Sequence, residues 1–359
     1  MKVNRHQLVE GCILTQDIFG KTQTPIMLKS TVLTPELLDV LYAFSVEEIN
    51  VAEKLVSGGP FTPIKQANSS ASTSKTKTTQ EKVIEATYDE SVKRFKDQFT
   101  QWQNGAQINI LGLQGILLSI LQSYMKKPYD LFQLHEKTTE ADYTFHHSVS
   151  VGLIAAYLAS KLKYPRKTSL EVGLAGLLID CGMAKIPPHY LFKTKELNGE
   201  MAQQIAKHPI FGYQMLKKDP KIEEGVVLTV LQHHEREDGS GYPLGVKGSQ
   251  LHPYAKIVMV VDSYHALVSQ RHYREQRSPF TALDILNKDI AMYDPRTLLV
   301  LTQEIVHVFV GSRVKLSNDE RGEIIFIPND SPTRPMVRLD DGRAIALSQH
   351  PSLLIDQIL

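Results

Sequence analysis

The sequence has little cysteine and no excess of charge of either sign. Only two of its 359 residues are cysteines, Cys12 and Cys181, which excludes the disulfide framework that holds many small secreted domains together. Its 40 basic and 39 acidic residues give a formal net charge of +1, so the chain has no bulk field that would attract DNA or an acidic membrane. An anionic ligand must therefore be held by a local cluster of residues.

A long uninterrupted apolar segment is also missing. The most apolar stretch, INILGLQGILLSILQSYM at residues 108–125, is broken by Asn109, Gln114, Gln122 and two glycines, which favours a buried helix over a membrane helix. The start of the chain, MKVNRHQLVEGC, has no apolar core of the signal-peptide kind. These absences predict a cytoplasmic protein with no membrane contact.

Changes in composition and periodicity divide the chain into five segments. Residues 57–80 end in a stretch without large apolar side chains, which cannot offset the entropy of ordering. Apolar repeats of helical period then dominate until short alternating runs with Asn-Asp, Arg-Gly and Asp-Gly turns take over. The predicted segments are a small α+β module (1–56), a flexible linker (57–80), connecting helices (81–130), a helical domain (131–308) and a small β module (309–359).

An aromatic stripe marks the first connecting helix. Tyr88, Val92, Phe95, Phe99 and Trp102 recur at spacings of 4, 3, 4 and 3 and therefore share one helix face. Such a stripe is typical of a protein core or a helix–helix seam. Pairing across a homodimer and burial within a monomer both account for it.

Histidines and carboxylates are spread through the helical region at positions that could meet in the fold. They are His147, Asp180, His208, His233, His234 and Asp262. Imidazoles mixed with carboxylates suit Fe, Mn, Ni or Zn. A shared carboxylate can bridge two such metals about 3.5 to 4 Å apart, where they activate water against a phosphodiester. The pattern predicts phosphoester hydrolysis, with one or two divalent transition metals as cofactors.

The block HHEREDGSGYP, residues 233–243, is the most specific signal in the chain. It joins two adjacent histidines to a turn rich in glycine and to a Tyr-Pro exit. Together with VVDSYHALVSQRHYRE further on, it resembles the HD-GYP family of bacterial cyclic di-GMP phosphodiesterases over residues 140–300. The resemblance implies a mainly α, HD-type metal-dependent phosphohydrolase domain, flanked here by the two small modules.

The resemblance also implies roles for individual residues. It makes His147 the first metal ligand and Asp180 the bridging carboxylate, with His208, His233, His234 and Asp262 completing the two metal sites. It places a cyclic di-GMP or related guanine nucleotide against Tyr242, Arg271, Tyr273 and Arg274. Guanidinium forks suit phosphates and guanine edges, which agrees with this assignment.

Four positions depart from the family pattern. Ile179 replaces the family histidine before Asp180, so one of the two metal positions should be weak. Met183 replaces the family lysine and cannot stabilise developing negative charge. His265 replaces a carboxylate, and either a spare ligand or a hydrogen-bonded side chain explains it equally well. Tyr143 stands where three-metal relatives have a glutamate, which argues against a third metal.

Three hypotheses about function follow from this pattern. The first is a degenerate HD-GYP protein that binds cyclic di-GMP over at least one metal and signals to a protein partner, with little or no turnover. The second is an active cyclic di-GMP phosphodiesterase in which Asp180, aided by His265, still supports catalysis. The third is a protein-interaction scaffold that needs no ligand, which the intact set of titratable groups argues against.

Overall fold

The computed structural model separates the chain into two compact units, Met1–Thr76 and Lys77–Leu359. The residues it describes are 1–4, 7–19, 25–34, 37, 41, 48–61, 79–139, 141–187, 199–270 and 276–359. Within these ranges no helix is long and apolar enough to cross a membrane.

The first unit contains two small antiparallel strand pairs. Strand β1 (Lys2–Asn4) pairs with β4 (Glu48–Asn50), and β2 (Ile18–Phe19) pairs with β3 (Pro25–Met27). This unit has a hydrophobic core of its own, separate from that of the second unit. The members of that core with almost no exposed surface include Leu14, Leu33, Leu41, Ile49 and Val51.

Helices make up most of the second unit. In chain order they are α1 (Thr79–Gln103), α2 (Ile110–Met125), α3 (Pro128–Phe132), α4 (Tyr143–Lys161), α5 (Arg166–Leu178), α6 (Gly199–Ile205), α7 (His208–Leu216), α8 (Glu224–Gln232), α9 (Pro253–Val268), α10 (Pro279–Lys288) and α11 (Pro295–Val308). The last three begin with proline at the first helical position, where its missing N–H is no loss. Side chains of His252, Ser278 and Asp294 accept hydrogen bonds from the first-turn N–H groups of these helices.

Helices α4 and α5 form the centre of the domain and touch backbone to backbone. A Cβ atom on Gly152 would lie 2.9 Å from the carbonyl oxygen of Gly173, and one on Gly176 would lie 3.1 Å from the Cα of Gly152. Glycine is required at these contacts because any side chain would separate the helices. The close approach brings the end of α5, and Asp180 just beyond it, beside the first turns of α4.

The aromatic stripe of α1 is buried in the core of its own chain. Tyr88, Phe95 and Trp102 are almost wholly inaccessible, and the stripe shares one hydrophobic cluster with α2, α4 and α5. These side chains therefore present no surface to a second copy. Most of the apolar segment 108–125 forms α2, which was predicted to be a buried helix. One face is buried, and Leu111 on the other face is 73% exposed.

A five-stranded antiparallel sheet closes the chain. Its strands are β5 (Arg313–Leu316), β6 (Arg321–Phe326), β7 (Met336–Leu339), β8 (Ala344–Ala346) and β9 (Ile355–Ile358), paired in the order β8-β7-β6-β5-β9. Its buried residues Val314, Ile324 and Val337 belong to the helical core cluster. The prediction of a mainly α fold with small α+β and β modules at its two ends is confirmed.

Candidate metal and nucleotide site

Six side chains predicted as metal ligands come together at one end of the α4–α5 pair. His147 lies in the second turn of α4, and Asp180 lies two residues after the end of α5. His208 is the first residue of α7, the pair His233 and His234 follows α8, and Asp262 lies on α9. Helix ends therefore supply most of this cluster, where the change of chain direction lets several elements approach one point.

Three of the histidines form a compact ligand set. The ligand atoms of His208, His233 and His234 all lie within 4.8 Å of one another, and the Nε2 atoms of His208 and His233 are 3.0 Å apart. The Nδ1–H groups of His208 and His233 donate to the carbonyl oxygens of Ile205 and Val230, each at 2.8 Å. Each ring therefore keeps a lone pair on Nε2, as a metal ligand requires.

The protonation of this set also fits a metal. Burial lowers the pKa of His208 and of His233 to about 4, and it lowers the pKa of His234 well below its ordinary value. The three rings are therefore neutral at pH 7, and neutral imidazole is the form that binds divalent ions. The residues present fit a divalent transition metal.

Asp180 lies between the histidine cluster and His147. One carboxylate oxygen is 3.4 Å from Nε2 of His208, and the other is 3.9 Å from Nε2 of His147. The short 3-10 turn that follows, Cys181–Lys185, packs tightly on α7 because residue 182 is glycine. A Cβ atom there would lie 2.0 Å from the carbonyl oxygen of His208. The Gly182 contact thus sets the distance between Asp180 and His208.

His147 and Asp262 form the second half of the site. Nε2 of His147 is 2.9 Å from one oxygen of Asp262, and the other oxygen lies 3.9 Å from Nδ1 of His234. Burial alone would raise the pKa of Asp262, but the hydrogen bond with His147 and the nearby histidines hold it well below its usual range. Asp262 is therefore a carboxylate that can accept the His147 Nε2–H.

Two of the positions predicted to depart from the family pattern hold apolar side chains that pack in the core. Ile179 is completely buried, and Met183 packs against the hydrophobic core. Lys185 does not take the place of the missing lysine, because its Nζ donates to the carbonyl oxygen of Trp102 at 3.1 Å.

Two further side chains contact His147 on the edge away from Asp262. Nδ1 of His265 lies 3.0 Å from Nδ1 of His147, and the Ser269 hydroxyl is 3.1 Å from the same His265 nitrogen. The ring of Tyr143 stacks on the His147 ring with centroids 5.1 Å apart, and its hydroxyl lies 3.1 Å from Nδ1. Of the two interpretations of His265, these contacts support the hydrogen-bonded side chain.

Tyr242 is the one predicted nucleotide contact that the described residues include. Its ring stacks on His234 with centroids 4.7 Å apart and an interplanar angle of 25°, and it is 37% exposed. Burial and the nearby carboxylates raise the pKa of its hydroxyl, so the phenol stays a neutral donor. The other predicted contacts, Arg271, Tyr273 and Arg274, lie outside the described residues.

Sequence reasoning passed over Glu235. This residue follows the two histidines directly, has no exposed surface, and accepts hydrogen bonds from the N–H groups of Leu244 and Val246 at 2.7 and 3.1 Å. A carboxylate is rarely buried without specific partners, so its burial marks it as part of the site. In the sequence, its place directly after the two histidines of HHEREDG was the available signal.

Comparison with known proteins agrees with this geometry. The HD domain model matches residues 129–297. A protein from Pseudomonas aeruginosa, cyclic di-GMP phosphodiesterase PA4108, is 29% identical over 241 residues, which cover 67% of this chain and 58% of that protein. The helical domain is similar to proteins of the HD-GYP family, as the sequence predicted.

Other relatives match shorter stretches. The cyclic di-GMP phosphodiesterase response regulator RpfG of Xanthomonas campestris is 34% identical over 40% of this chain and 38% of its own length. The 3'3'-cGAMP-specific phosphodiesterase 1 of Vibrio cholerae is 28% identical over 42% of this chain and 35% of its own. The chain thus spans about half the length, or less, of these curated relatives.

A solved structure shares the fold. Bd1817, an HDG"Y"P protein from Bdellovibrio bacteriovorus, superposes with a TM-score of 0.51 at 14% identity, covering 85% of this chain and 99% of that one. The assignment of Ile179-Asp180 to the pair that names the HD motif stays a prediction.

Proposed function

We propose that this protein binds cyclic di-GMP, or a related guanine dinucleotide, at a metal site in bacterial second-messenger signalling, with weak or absent phosphodiesterase activity. The observation that carries the proposal is the contrast within one site. The buried His208 and His233 and the partly exposed His234 form a compact ligand set, whereas Ile179 and Met183 add only apolar surface nearby. This contrast supports retention of ligand binding with loss of catalytic groups.

The residues in place suit binding of a phosphodiester. A divalent ion held by the three histidines would contact a phosphate oxygen and lower the pKa of bound water. The partly exposed ring of Tyr242, beside His234, is available for stacking against a base. Fe, Mn, Ni and Zn all suit this donor set, and a second metal between His147, Asp180 and Asp262 would lack the imidazole that the family has at position 179.

The methionine at position 183 is expected to slow turnover. With methionine at position 183, no ammonium group stands there to stabilise the charge that develops on the phosphate. Removing one such electrostatic donor typically slows an enzyme by about 10² to 10³. The named activity of the relatives, phosphodiester hydrolysis, is therefore proposed here only as a residual activity.

One observation favours the second candidate, an active phosphodiesterase. Asp180 retains a place between the two halves of the site, 3.4 Å from His208 and 3.9 Å from His147, as a bridging carboxylate would. A slow hydrolase is compatible with this arrangement. A ligand-free scaffold is less well supported, because burying these imidazoles and carboxylates without a partner ion costs free energy.

The test is direct chemical analysis of bound nucleotide. The purified protein is incubated with labelled cyclic di-GMP and Mn²⁺ or Fe²⁺, and the bound and free fractions are separated and identified. Intact cyclic dinucleotide on the protein is the expected result. Accumulation of linear dinucleotide or GMP over many turnovers, abolished by His234→Ala, would instead establish the enzyme. Finding neither retained nucleotide nor hydrolysis product at any metal loading would contradict both.

A further inference from the structure

Glu235 occupies an unusual position for a carboxylate next to a metal-binding pair. It has no exposed surface, and its two oxygens accept hydrogen bonds from the backbone N–H groups of Leu244 and Val246 at 2.7 and 3.1 Å. A buried carboxylate is stable only when its lone pairs are used in this way. Both acceptors are thus directed at the loop that follows the histidines, and Glu235 is committed to that loop.

The loop closes on itself at the same place. The N–H of Tyr242 donates to the carbonyl oxygen of His234 at 3.1 Å. A Cβ atom on Gly241 would lie 2.4 Å from the Cα of Glu235, so the returning chain lies against the Glu235 backbone. Only glycine permits this approach. The loop that follows His233 and His234 therefore turns back and is hydrogen-bonded to His234 and Glu235.

The hydrogen bonds between Glu235 and the loop lie close to the Tyr242 ring in the chain. Tyr242 precedes Leu244 by two residues, and its ring stacks on His234 at 4.7 Å. Without the hydrogen bonds to Leu244 and Val246, the chain at the end of the turn could shift. The Tyr242 ring would then no longer be held against His234. Charge-assisted hydrogen bonds to backbone N–H groups are among the stronger polar interactions available for such a role.

We propose that Glu235 is a positioning residue that holds the Tyr242 ring over His234 and so sets the nucleotide affinity of the site without touching metal or nucleotide. This inference rests on the proposed nucleotide-binding function. It adds that one buried side chain, Glu235, connects the histidine cluster to the proposed nucleotide contact, Tyr242.

The first experiment compares the wild-type protein with Glu235→Gln, which keeps the shape of the side chain and replaces one acceptor by a donor. With Mn²⁺ present, the affinity for cyclic di-GMP is expected to fall about ten- to hundredfold. The metal content per chain should stay unchanged, and amide exchange in residues 241–248 should accelerate. The matched control is Glu237→Gln, in the same loop, whose carboxylate pairs with Lys256 at 2.9 Å. This control should keep wild-type affinity.

A double-mutant cycle separates positioning from general damage to the fold. In a Tyr242→Ala background, Glu235→Gln should cause no further loss of affinity, because the ring through which it acts is gone. Equal losses in both backgrounds would overturn the proposal. Wild-type affinity and wild-type amide exchange in Glu235→Gln would also overturn it, while leaving the proposed function intact.

Two outcomes need a separate readout. If the wild-type protein binds no cyclic di-GMP, the proposed function fails, and amide exchange at 241–248 still decides whether Glu235 holds the loop. If Glu235→Gln does not fold, Gly241→Ala moves the same loop by displacing the returning chain from the Glu235 backbone. It should lower nucleotide affinity with metal content intact. Wild-type affinity in a folded Gly241→Ala protein whose loop exchange is accelerated would count against the proposal.

Discussion

His147 and His265 meet through their Nδ1 atoms, which lie 3.0 Å apart although 118 positions separate the two residues in the chain. The other ring nitrogen of His147, Nε2, lies 2.9 Å from Asp262. The two nitrogens lie on different edges of the ring. His265 and Asp262 therefore contact different edges of His147. If His147 is a metal ligand, as the sequence predicts, His265 occupies the place of an outer partner that would orient it.

Replacing His265 by alanine should weaken metal binding. The change removes the side chain opposite Nδ1 of His147, and loss of an outer partner typically costs about 10- to 100-fold in metal affinity. Competition with a chelator of known affinity measures the effect. His307→Ala, at an exposed position near the end of α11, is the control. Equal chelator competition in His265→Ala and wild type would show that this contact has no bearing on the metal.

Restoring the family residues should restore hydrolysis. The double variant Ile179→His with Met183→Lys returns an imidazole and an ammonium group to the site, and we expect cyclic di-GMP turnover at least about 10²-fold above wild type. Because Ile179 is completely buried, the new histidine should destabilise the metal-free protein and be rescued by added Mn²⁺. Thermal unfolding with and without metal reports this second effect. A folded, metal-loaded double variant without turnover would count against an intact catalytic frame.

Chelation should lower the melting temperature through the three-histidine cluster. An ion that binds only the folded state stabilises it by about 2.7 kcal/mol when its concentration is 100 times its dissociation constant. Differential scanning calorimetry with Mn²⁺ and then with EDTA measures the shift. His234→Ala should reduce the shift strongly, and His307→Ala should leave it unchanged. A chain with no metal-dependent shift would favour the scaffold hypothesis.

Lys185→Met should affect stability and leave the chemistry unchanged. The substitution removes the hydrogen bond from Nζ to the Trp102 carbonyl, and we expect the free energy of unfolding to fall by about 0.5 to 1.5 kcal/mol. Trp102 is the single tryptophan of the chain, so its fluorescence follows the transition. Lys93→Met, at an exposed position on α1, is the control. A specific loss of hydrolysis would instead identify Lys185 as a displaced catalytic lysine.

Protonation of His135 should destabilise the fold in mild acid. Its Nδ1–H donates to the Phe132 carbonyl at 2.9 Å, and burial lowers its pKa to about 4. The unfolded chain titrates near pH 6.5 and binds the extra proton below that pH, so this contribution is complete above about pH 6.5 and is lost as the pH falls toward 4. The free energy of unfolding should change by up to about 1.4 kcal/mol per pH unit in this window.

The comparison that isolates His135 is His135→Gln, which can still donate to Phe132. Urea unfolding of both proteins in EDTA, at several pH values between 4 and 7, should show a smaller pH dependence for the variant. The other buried histidines titrate equally in both proteins, so they cancel in the difference. Parallel pH profiles would mean that His135 binds protons equally in the folded and unfolded states, so that burial does not lower its pKa.

The sequence was most informative where a pattern is local. The helical period between residues 131 and 304 predicted the main domain, and the HHEREDGSGYP block led to the HD-GYP family. The role of His265 could not be predicted in the same way. Its spacing from Asp262 places both residues on one helix face, but only the packing of α4 against α9 decides which edge of His147 it meets.

Glu235 and Lys185 show the same limit. The partners of Glu235 are backbone groups nine and eleven positions away across a turn, and the partner of Lys185 is a carbonyl 83 positions away. Neither residue's hydrogen bonds depend on the side chain of the partner residue. No pattern in the sequence therefore predicts them. Contacts with the main chain become visible only when the path of the chain is known.

The glycine contacts between α4 and α5 have a consequence for how this site can change. Since Gly152 meets Gly173 and Gly176 main chain to main chain, the spacing of His147 and Asp180 depends on two backbones and hardly at all on the side chains around them. Substitution at Ile179 or Met183 can therefore alter the chemistry while the ligand positions stay where they are. A receptor and a hydrolase can share this architecture and interconvert by a few side-chain replacements.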